Sequence, residues 1–434
     1  MTLNLFKNFF VSGLTAFAFT ALIPVQASAN EAVLGPQRIA VVLLDLAHDG
    51  KEQASEEIRQ AMFDSEFSID RFIRESSYGK ASLTGTVFPW IQVNERRLPC
   101  EPTEKQSFAY AGNSIPYENF DRVVFLYHVD AEKCADAGLG ESEFGKHWVR
   151  TSRGNYHLSV ARLQADNRFV RPQFPFQQKS GITSGVIAHE LGHSFGINGH
   201  ANILDCGAKS IPDQRSGSND SCEQYAIADR MSGMGGEGFY RPAIHWASCH
   251  KEDLGWMSSG EMVNVPSSLI TREALKIKIF PYASGDAKAG PVAIKIPLGT
   301  PIWVAGKVQI SALFIEYRTA IGFDRRLKEF GENPAAVFSK IEATPGHYPD
   351  GLKFAAEGLQ VRGGFYNDGH CVTTYAFDAH PNSLSFGSTA YSLYDHLDGN
   401  LLAGEGMDEP NNGFRIETGP VQADGSIEVT LKQK

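Results

Sequence analysis

The stretch ITSGVIAHELGHSFGINGH, residues 182–200, determines how the rest of the chain is interpreted. Its apolar residues recur at helical spacing until Gly196, which can end a helix in the left-handed conformation. His189, Glu190 and His193 form an H-E-x-x-H motif within it. Side chains four residues apart share one helix face, so both imidazoles can bind one ion. The motif predicts a Zn2+ site in which the glutamate, as general base, takes a proton from a metal-bound water.

A catalytic zinc ion needs a third protein ligand from outside this motif. His200 is the first candidate, because it lies just beyond the end of the predicted helix. Asn198-Gly199 is a strong turn pair that can bring the chain back towards the metal. Asp205 is the second candidate, and Glu223 would serve in a zinc peptidase of another subfold. We predict His200 as the third ligand, with the two carboxylates as alternatives.

Two segments downstream of the zinc motif carry a family resemblance. Residues 225–235 read YAIADRMSGMG, and residues 243–256 read AIHWASCHKEDLGW. With the zinc motif they resemble the metzincins, and within these the gametolysin-like metallopeptidases, which have a similar Asp-x-x-x-x-Met-Gly turn and a helix ending in His-Lys-x-x-Leu-Gly-Trp. The resemblance covers about residues 38–434, but only 189–256 is specific. Weaker matches lie at 75–83, 134–140 and 314–324.

The resemblance assigns a role to the Met-turn and raises a question about the third ligand. Met234 would form the hydrophobic floor beneath the zinc without binding it, and Met231 is the alternative for that role. The metzincin pattern H-E-x-x-H-x-x-G-x-x-H would place its third histidine at position 199. That position is Gly199 here, and the histidine is His200. The loop to the third ligand therefore carries one extra residue.

Further side chains near the Met-turn are interpreted through the same resemblance. Some metzincins bind the oxyanion with a tyrosine two residues after the methionine, but that position is Gly236 here. Tyr240 is the substitute for that role, or simply a packed side chain. His245 and His250 are interpreted as packing or supporting residues rather than ligands. An extended peptide substrate would add beside an edge strand, which we place at residues 156–163.

Apolar runs and turn signals predict an α+β fold. The fold expected is a metzincin-like catalytic domain, with a twisted mixed sheet, the zinc helix and the Met-turn, followed by an all-β sandwich or jelly-roll-like domain. We expect a signal peptide at 1–29, the zinc metallopeptidase domain at 30–262 and the β-rich C-terminal domain at 263–434. Strands are predicted at 38–46, 82–93, 121–129, 156–163, 274–280, 292–296, 312–318, 414–417 and 426–431, and helices at 54–64, 67–74 and 182–195.

The N-terminal residues indicate export. Lys7 precedes a mostly apolar stretch at 9–25, and Ala27-Ser28-Ala29 then forms an A-x-A cleavage signature, so we place the cut after Ala29. A membrane anchor is the alternative, but the apolar run is short and ends in small residues. The protein is expected to be extracellular, or periplasmic in a Gram-negative host. Residues 30–37 are too few for an inhibitory propeptide, so little activation is expected beyond signal removal.

The cysteine count is consistent with an exported chain. Six cysteines favour disulfides, and no C-x-x-C motif is present that would suggest a cysteine zinc site. We predict Cys206–Cys222, which closes a short polar loop. Cys100–Cys134 and Cys249–Cys371 are the pairings we assign to the other four. Residues 219–221 form a glycosylation sequon that matters only in a eukaryotic host.

Composition narrows the choice of partners. The chain has 434 residues, a formal net charge of -10, 42% hydrophobic residues and 21% charged residues. These values fit a globular protein of more than one domain. No basic stripe runs along the chain, which argues against a nucleic-acid partner. We expect a protein or peptide substrate, no membrane span after signal removal, and a monomer.

These observations predict a secreted zinc-dependent endopeptidase. Glu190 would act as general base and then pass the proton to the leaving amine. The alternative is a secreted binding or adhesion protein with a degenerate, inactive zincin domain. The displaced third histidine supports the alternative, whereas the intact Glu190 opposes it, because a structural metal site needs no general base.

Overall fold

The computed structural model describes most of the chain. The described residues are 32–50, 52–95, 98–130, 133–134, 140–165, 184–215, 222–235, 243–284, 290–304, 308–328, 357–381 and 396–434. The signal peptide predicted at 1–29 and the sequon at 219–221 lie outside these ranges.

A mixed sheet forms the first half of the molecule. Its strands are β1 (Gly35–Asp45), β2 (Ala81–Val87), β3 (Ile91–Gln92), β4 (Arg122–His128), β5 (Gly140–Ser142), β6 (His147–Thr151) and β7 (Gly154–Gln164). The order is β2-β1-β4-β7-β5, with β3 beside β1 and β6 beside β7. The first four strands of this order run parallel, and β5 and β6 run antiparallel to β7. The strands predicted at 38–46, 121–129 and 156–163 are confirmed, whereas the strand predicted at 82–93 is divided into β2 and β3.

Helices cover this sheet on both faces. They are α1 (Ser55–Arg59), which continues as a π-helical turn at Gln60–Asp64, α2 (Ile69–Ser76), α3 (Glu104–Ala111) and α4 (Ser184–Phe195), and a further helix, α5 (Ser248–Asp253), follows the Met-turn segment. Side chains of α2 and α4 pack on one face of β1, and those of α3 pack on the other. Because both faces are covered, β1 and β4 are nearly continuous apolar runs without alternation.

The predicted edge strand is wrong. Residues 156–163 belong to β7, which lies between β4 on one side and β5 and β6 on the other. On the β7 side of the sheet, the described edge beside the C-terminal part of β7 is β5. There Gly140 pairs with Leu163 and Ser142 with Ala161. From Leu158 onwards β7 is buried on both faces, so its alternating residue types do not mark one face as exposed to solvent.

Two more sheets form the second half. Their strands are β8 (Ala201–Asp205), β9 (Glu223–Tyr225), β10 (Met262–Asn264), β11 (Leu275–Ile279), β12 (Ala293–Val304), β13 (Val308–Arg318), β14 (Gly358–Asn367), β15 (His370–Phe377), β16 (Gly406–Glu409), β17 (Phe414–Val421) and β18 (Ile427–Gln433). One sheet has the order β10-β12-β13-β14-β15-β8-β9, and the other has the order β11-β18-β17-β16. Apolar side chains of both sheets meet in one shared core.

The described architecture is a mixed α/β structure, dominated by sheets and with few helices, consistent with the α+β class. The boundary at 262/263 stays a prediction. One finding bears on how it should be understood: β8 and β9 precede residue 262, yet they belong to the same sheet as β10 and β12–β15.

Three disulfides join Cys100 to Cys134, Cys206 to Cys222 and Cys249 to Cys371, which confirms all three predicted pairs. No helix in the described ranges is both long and apolar enough to cross a membrane. The three disulfides are compatible with a secreted protein.

Candidate metal centre

Helix α4 carries the zinc motif in the interior of the molecule. All of its residues are buried, from Ser184 to Phe195. Gly196 follows with a φ of +117°, a conformation that glycine adopts without the strain of a side chain. The backbone N–H of Ile197 donates to the Gly192 carbonyl at 3.0 Å, which closes the helix end. The chain can then turn back towards the helix, as the sequence predicted.

Three imidazoles converge at this point. Each of His189, His193 and His200 offers a ring nitrogen, and these nitrogens all lie within 4.8 Å of one another. The Nε2 atoms of His193 and His200 are 3.3 Å apart. Two nitrogens bound at about 2.0–2.1 Å to a tetrahedral zinc ion would be separated by about 3.3–3.4 Å. The distance between these two nitrogens therefore fits a small tetrahedral metal ion.

Backbone carbonyls set the orientation of the two helix histidines. Nδ1 of His189 lies 2.9 Å from the Gly233 carbonyl oxygen, and Nδ1 of His193 lies 2.7 Å from that of Ile197. A carbonyl can only accept, so in both rings Nδ1 carries the proton and donates. The Nε2 lone pairs are then left to face the centre, as metal-binding histidines require.

Burial keeps these rings neutral. It lowers the pKa of His193 to about 4, that of His189 well below its usual value, and that of His200 in the same direction. Interaction with the neighbouring histidines lowers the first two further. A neutral imidazole is the form that binds a metal ion, so no proton has to leave before binding at neutral pH.

Glu190 lies beside the histidines in a buried position, with only 3% of its surface exposed. Its pKa is raised to about 7, chiefly by burial and in addition by the nearby Glu141 carboxylate, whereas Ser142 and Arg162 oppose the shift. Gly140 of β5 makes room for the carboxylate. A Cβ atom at that position would stand 2.9 Å from Cγ and 3.0 Å from Oε1 of Glu190. A carboxylate with this pKa can both accept and release a proton near neutrality.

The Met-turn lies directly under α4. Met234 is fully buried, and a Cβ atom at Gly192, which lies between the two helix ligands, would stand 2.5 Å from its sulfur. Met231 faces elsewhere, because its sulfur receives contacts from Gln360 and Asn400 at 3.4 and 3.6 Å. Of the two methionines considered for the floor of the site, Met234 is the one that packs on α4 between His189 and His193.

The other two histidines considered from the sequence, His245 and His250, do not belong to the three-histidine group among the described residues. Nε2 of His245 is 2.9 Å from Glu75, and its Nδ1 is 2.7 Å from Lys251 Nζ. His250 is buried near the centre, where burial and then His193 and His200 lower its pKa to about 3. Neither joins the histidine group among the described residues.

The carboxylate alternatives to His200 are also placed elsewhere. Asp205 and Glu223 face each other across β8 and β9, and Asp205 accepts the backbone N–H of Gly207 at 2.8 Å. Within the described ranges, neither is grouped with the histidines of α4. Tyr240 and Gly236 lie outside the described residues.

Two other groups in the described structure combine a histidine with carboxylates: Asp49, Glu52 and His128, and Asp378, His380 and Asp398. In both, the histidine already makes protein contacts. His128 Nε2 is 2.7 Å from Asp49, and His380 Nε2 is 2.8 Å from Glu405. Several groups among the described residues could thus hold a metal, and the group of His189, His193 and His200 is the one that offers three imidazoles.

Sequence reasoning missed one aromatic side chain at the site. Phe144 follows β5, and its ring centroid is 5.3 Å from that of His193. Its surface is 52% exposed, which is unusual for a phenylalanine beside a buried cluster. The backbone N–H of Gly145 donates to the His193 carbonyl at 3.1 Å and ties this loop to α4. No motif in the sequence marked this residue.

No family model matches the chain, and no curated protein is significantly similar to it. The geometry and chemistry of the site are therefore the observations from which a function can be inferred.

Proposed function

We propose that this chain is a secreted zinc-dependent endopeptidase of the metzincin type, related in design to the gametolysin-like enzymes. The observation that supports this most is the combination of three converging neutral imidazoles with a buried carboxylate on the helix that carries two of them. A structural zinc site needs four closing ligands and no base, whereas a hydrolytic site has three ligands, an open position and a general base. His189, His193, His200 and Glu190 form a set of the second kind.

In this proposal the three histidines hold the metal and Glu190 moves the proton. A zinc ion at this site would lower the pKa of a bound water and polarise the scissile carbonyl. Glu190 takes the proton of the attacking water and later gives it to the leaving amine, two transfers for which a pKa of about 7 is well matched. Met234 supports α4 from below and takes no part in proton transfer.

The substrate in this proposal is an extended peptide segment. Strand β5 forms the edge of the described sheet next to Glu190, and an edge strand can pair with an extended chain through its backbone groups. Phe144, immediately beyond this strand, adds an exposed apolar ring beside His193. These features suit an unfolded or loop segment of a protein, with an apolar side chain near the bond that is cleaved.

The competing hypothesis of an inactive zincin domain loses its main support. That support was the displacement of the third histidine by one residue. His200 nevertheless lies next to His193, and its Nε2 atom faces the Nε2 atom of that residue. The buried Glu190 remains unexplained by a purely adhesive role.

Metal removal tests the proposed function directly. Purified protein is incubated with a denatured protein substrate before and after treatment with a zinc chelator. We expect cleavage by the untreated protein, loss of cleavage after chelation, and recovery when Zn2+ is added back, because zinc supplies the activated water. A zinc-loaded wild-type protein that cleaves no unfolded substrate would favour the binding hypothesis instead.

Replacing Gly140 by Ala is expected to lower kcat without releasing the metal. The added Cβ atom would stand 2.9–3.1 Å from three atoms of the Glu190 side chain and push the carboxylate out of place. Such a misplacement of a general base can cost about 100-fold in rate. Gly260→Ala is the matched control, since its Cβ atom would have only Ser258 Oγ within 4 Å, at 3.9 Å. Equal kcat in both variants would show that Gly140 does not position Glu190.

A further inference from the structure

The strand that follows the third ligand belongs to a sheet of the second half of the molecule. β8 begins at Ala201, one residue after His200, and pairs in parallel with β15, where Ala201 is opposite Thr374. The backbone N–H of Thr374 donates to the His200 carbonyl at 3.2 Å. The backbone of the third ligand is therefore hydrogen-bonded to a strand about 170 residues further along the chain.

Gly199 allows this close approach. A Cβ atom at position 199 would stand 1.9 Å from the carbonyl oxygen of Val372 and 2.7 Å from Oγ1 of Thr373. The first of these is a backbone atom, so it cannot move aside by a change of rotamer. The glycine of the turn is thus required by contact with β15, in addition to any turn propensity.

The Met-turn is attached to the same sheet. Asp229 accepts the backbone N–H of Met231 at 2.9 Å and also pairs with Arg362 of β14. Both charged side chains are almost fully buried. Ala201 connects the two features, because it donates to the Met234 carbonyl at 3.0 Å and accepts from the Asp229 N–H at 3.2 Å. Third ligand, Met-turn and sheet therefore form one hydrogen-bonded unit.

A disulfide also joins β15 to α5, the helix that follows the Met-turn. Cys249 lies on α5, and its partner Cys371 is in β15, directly before Val372. It fixes the start of β15 against the helix that follows the Met-turn, close to the place where Gly199 meets the strand.

We propose that β15 and β14 act as positioning elements of the metal centre, with Gly199, Thr374 and Arg362 as positioning residues that hold His200 where it can close the metal shell. The inference rests on the proposed zinc site. It adds that residues beyond 262 help to position the third ligand of that site. The one extra residue before His200 is accommodated because β8, which follows it, pairs with β15.

The first test is the zinc affinity of Gly199→Ala, with Gly260→Ala as control. The added methyl group would separate β8 from β15 and move His200, so zinc affinity should fall by about 10–100-fold, as for other supports of metal ligands. Affinity is measured by competition with a chelator, and the ligand geometry by the visible absorption of the Co2+-loaded protein. The apo forms are compared by circular dichroism. A folded Gly199→Ala protein with wild-type affinity and Co2+ spectrum would overturn the proposal.

The second test uses the wild-type protein and remains decisive if Gly199→Ala does not fold. If pairing with β15 favours metal binding, metal binding must favour that pairing by the same free energy. Hydrogen exchange is compared with and without Zn2+. We expect slower exchange in peptides covering β15 as well as in those covering α4. Slower exchange in α4 alone would overturn the positioning role and leave the proposed function intact, whereas failure of the wild type to bind Zn2+ would overturn both.

Discussion

Replacing Glu190 by Gln is expected to lower kcat for peptide cleavage by about 100–10,000-fold and to leave the zinc content unchanged, because this is the range that general acid–base catalysis contributes. Gln has nearly the same shape as Glu, so it should fit the buried position beside Gly140. It cannot accept the proton of the attacking water. The measurement is the cleavage rate of a fluorogenic peptide by both proteins at equal zinc loading.

The accompanying controls separate loss of the base from loss of the site. Circular dichroism and zinc content should match between the two proteins, and KM should change far less than kcat. Glu428→Gln is a matched control, since this glutamate lies on β18, pairs with Lys276 and belongs neither to β5 nor to the histidine group. A Glu190→Gln protein that cleaves at the wild-type rate would eliminate the proposed mechanism.

Strands and helices with a regular apolar or alternating pattern can be predicted from this sequence. The strands β1, β4, β11 and β13 are apolar or alternating runs bounded by turn residues, and the structure confirms them. The sequence also predicts helix α4, since its apolar residues repeat at helical spacing up to Gly196. In these segments local pattern and tertiary burial agree.

The edge of the first sheet could not be found in this way. β5 has only three residues, Gly140–Ser142, which is too short for any periodic pattern. The alternation in β7 favours an edge position, but side chains of α4 pack on one face of β7 and the apolar cluster that includes α3 packs on the other. Position in a sheet depends on which strands pair, and pairing over long sequence distances leaves no trace in local composition.

The candidate site likewise has a part that local sequence predicts and a part that depends on contacts between distant segments. Helix geometry predicts that His189 and His193 share one face, whereas the turn pair at 198–199 only makes His200 the first of three candidates for the third ligand. Gly140 approaches Glu190, and Gly199 approaches Val372, across large distances in sequence. Nothing in the local sequence around these two glycines predicts either contact. Both are glycines that make room for a neighbour rather than glycines in a left-handed conformation.

Replacing His200 by Ala should have the largest effect on the metal itself. Loss of an outer support of a ligand costs about 10–100-fold in affinity, so loss of a direct ligand should exceed the upper end of that range. The removed ring leaves His189 and His193 as the only imidazoles of the group, and two ligands hold zinc poorly against a chelator. The measurement is the zinc dissociation constant by chelator competition, together with zinc retained after dialysis.

Asp205→Asn is the comparison that identifies the third ligand, because Asp205 was the alternative from the sequence. Asn keeps the acceptor for the Gly207 N–H, so the turn after β8 should survive the change. We expect Asp205→Asn to retain zinc and peptide cleavage, and His200→Ala to lose both. The opposite result would move the third ligand from His200 to Asp205. Retention of zinc without cleavage in the wild type would instead support a binding protein, because the extra residue between His193 and His200 would then hold a metal in a site that does not turn over.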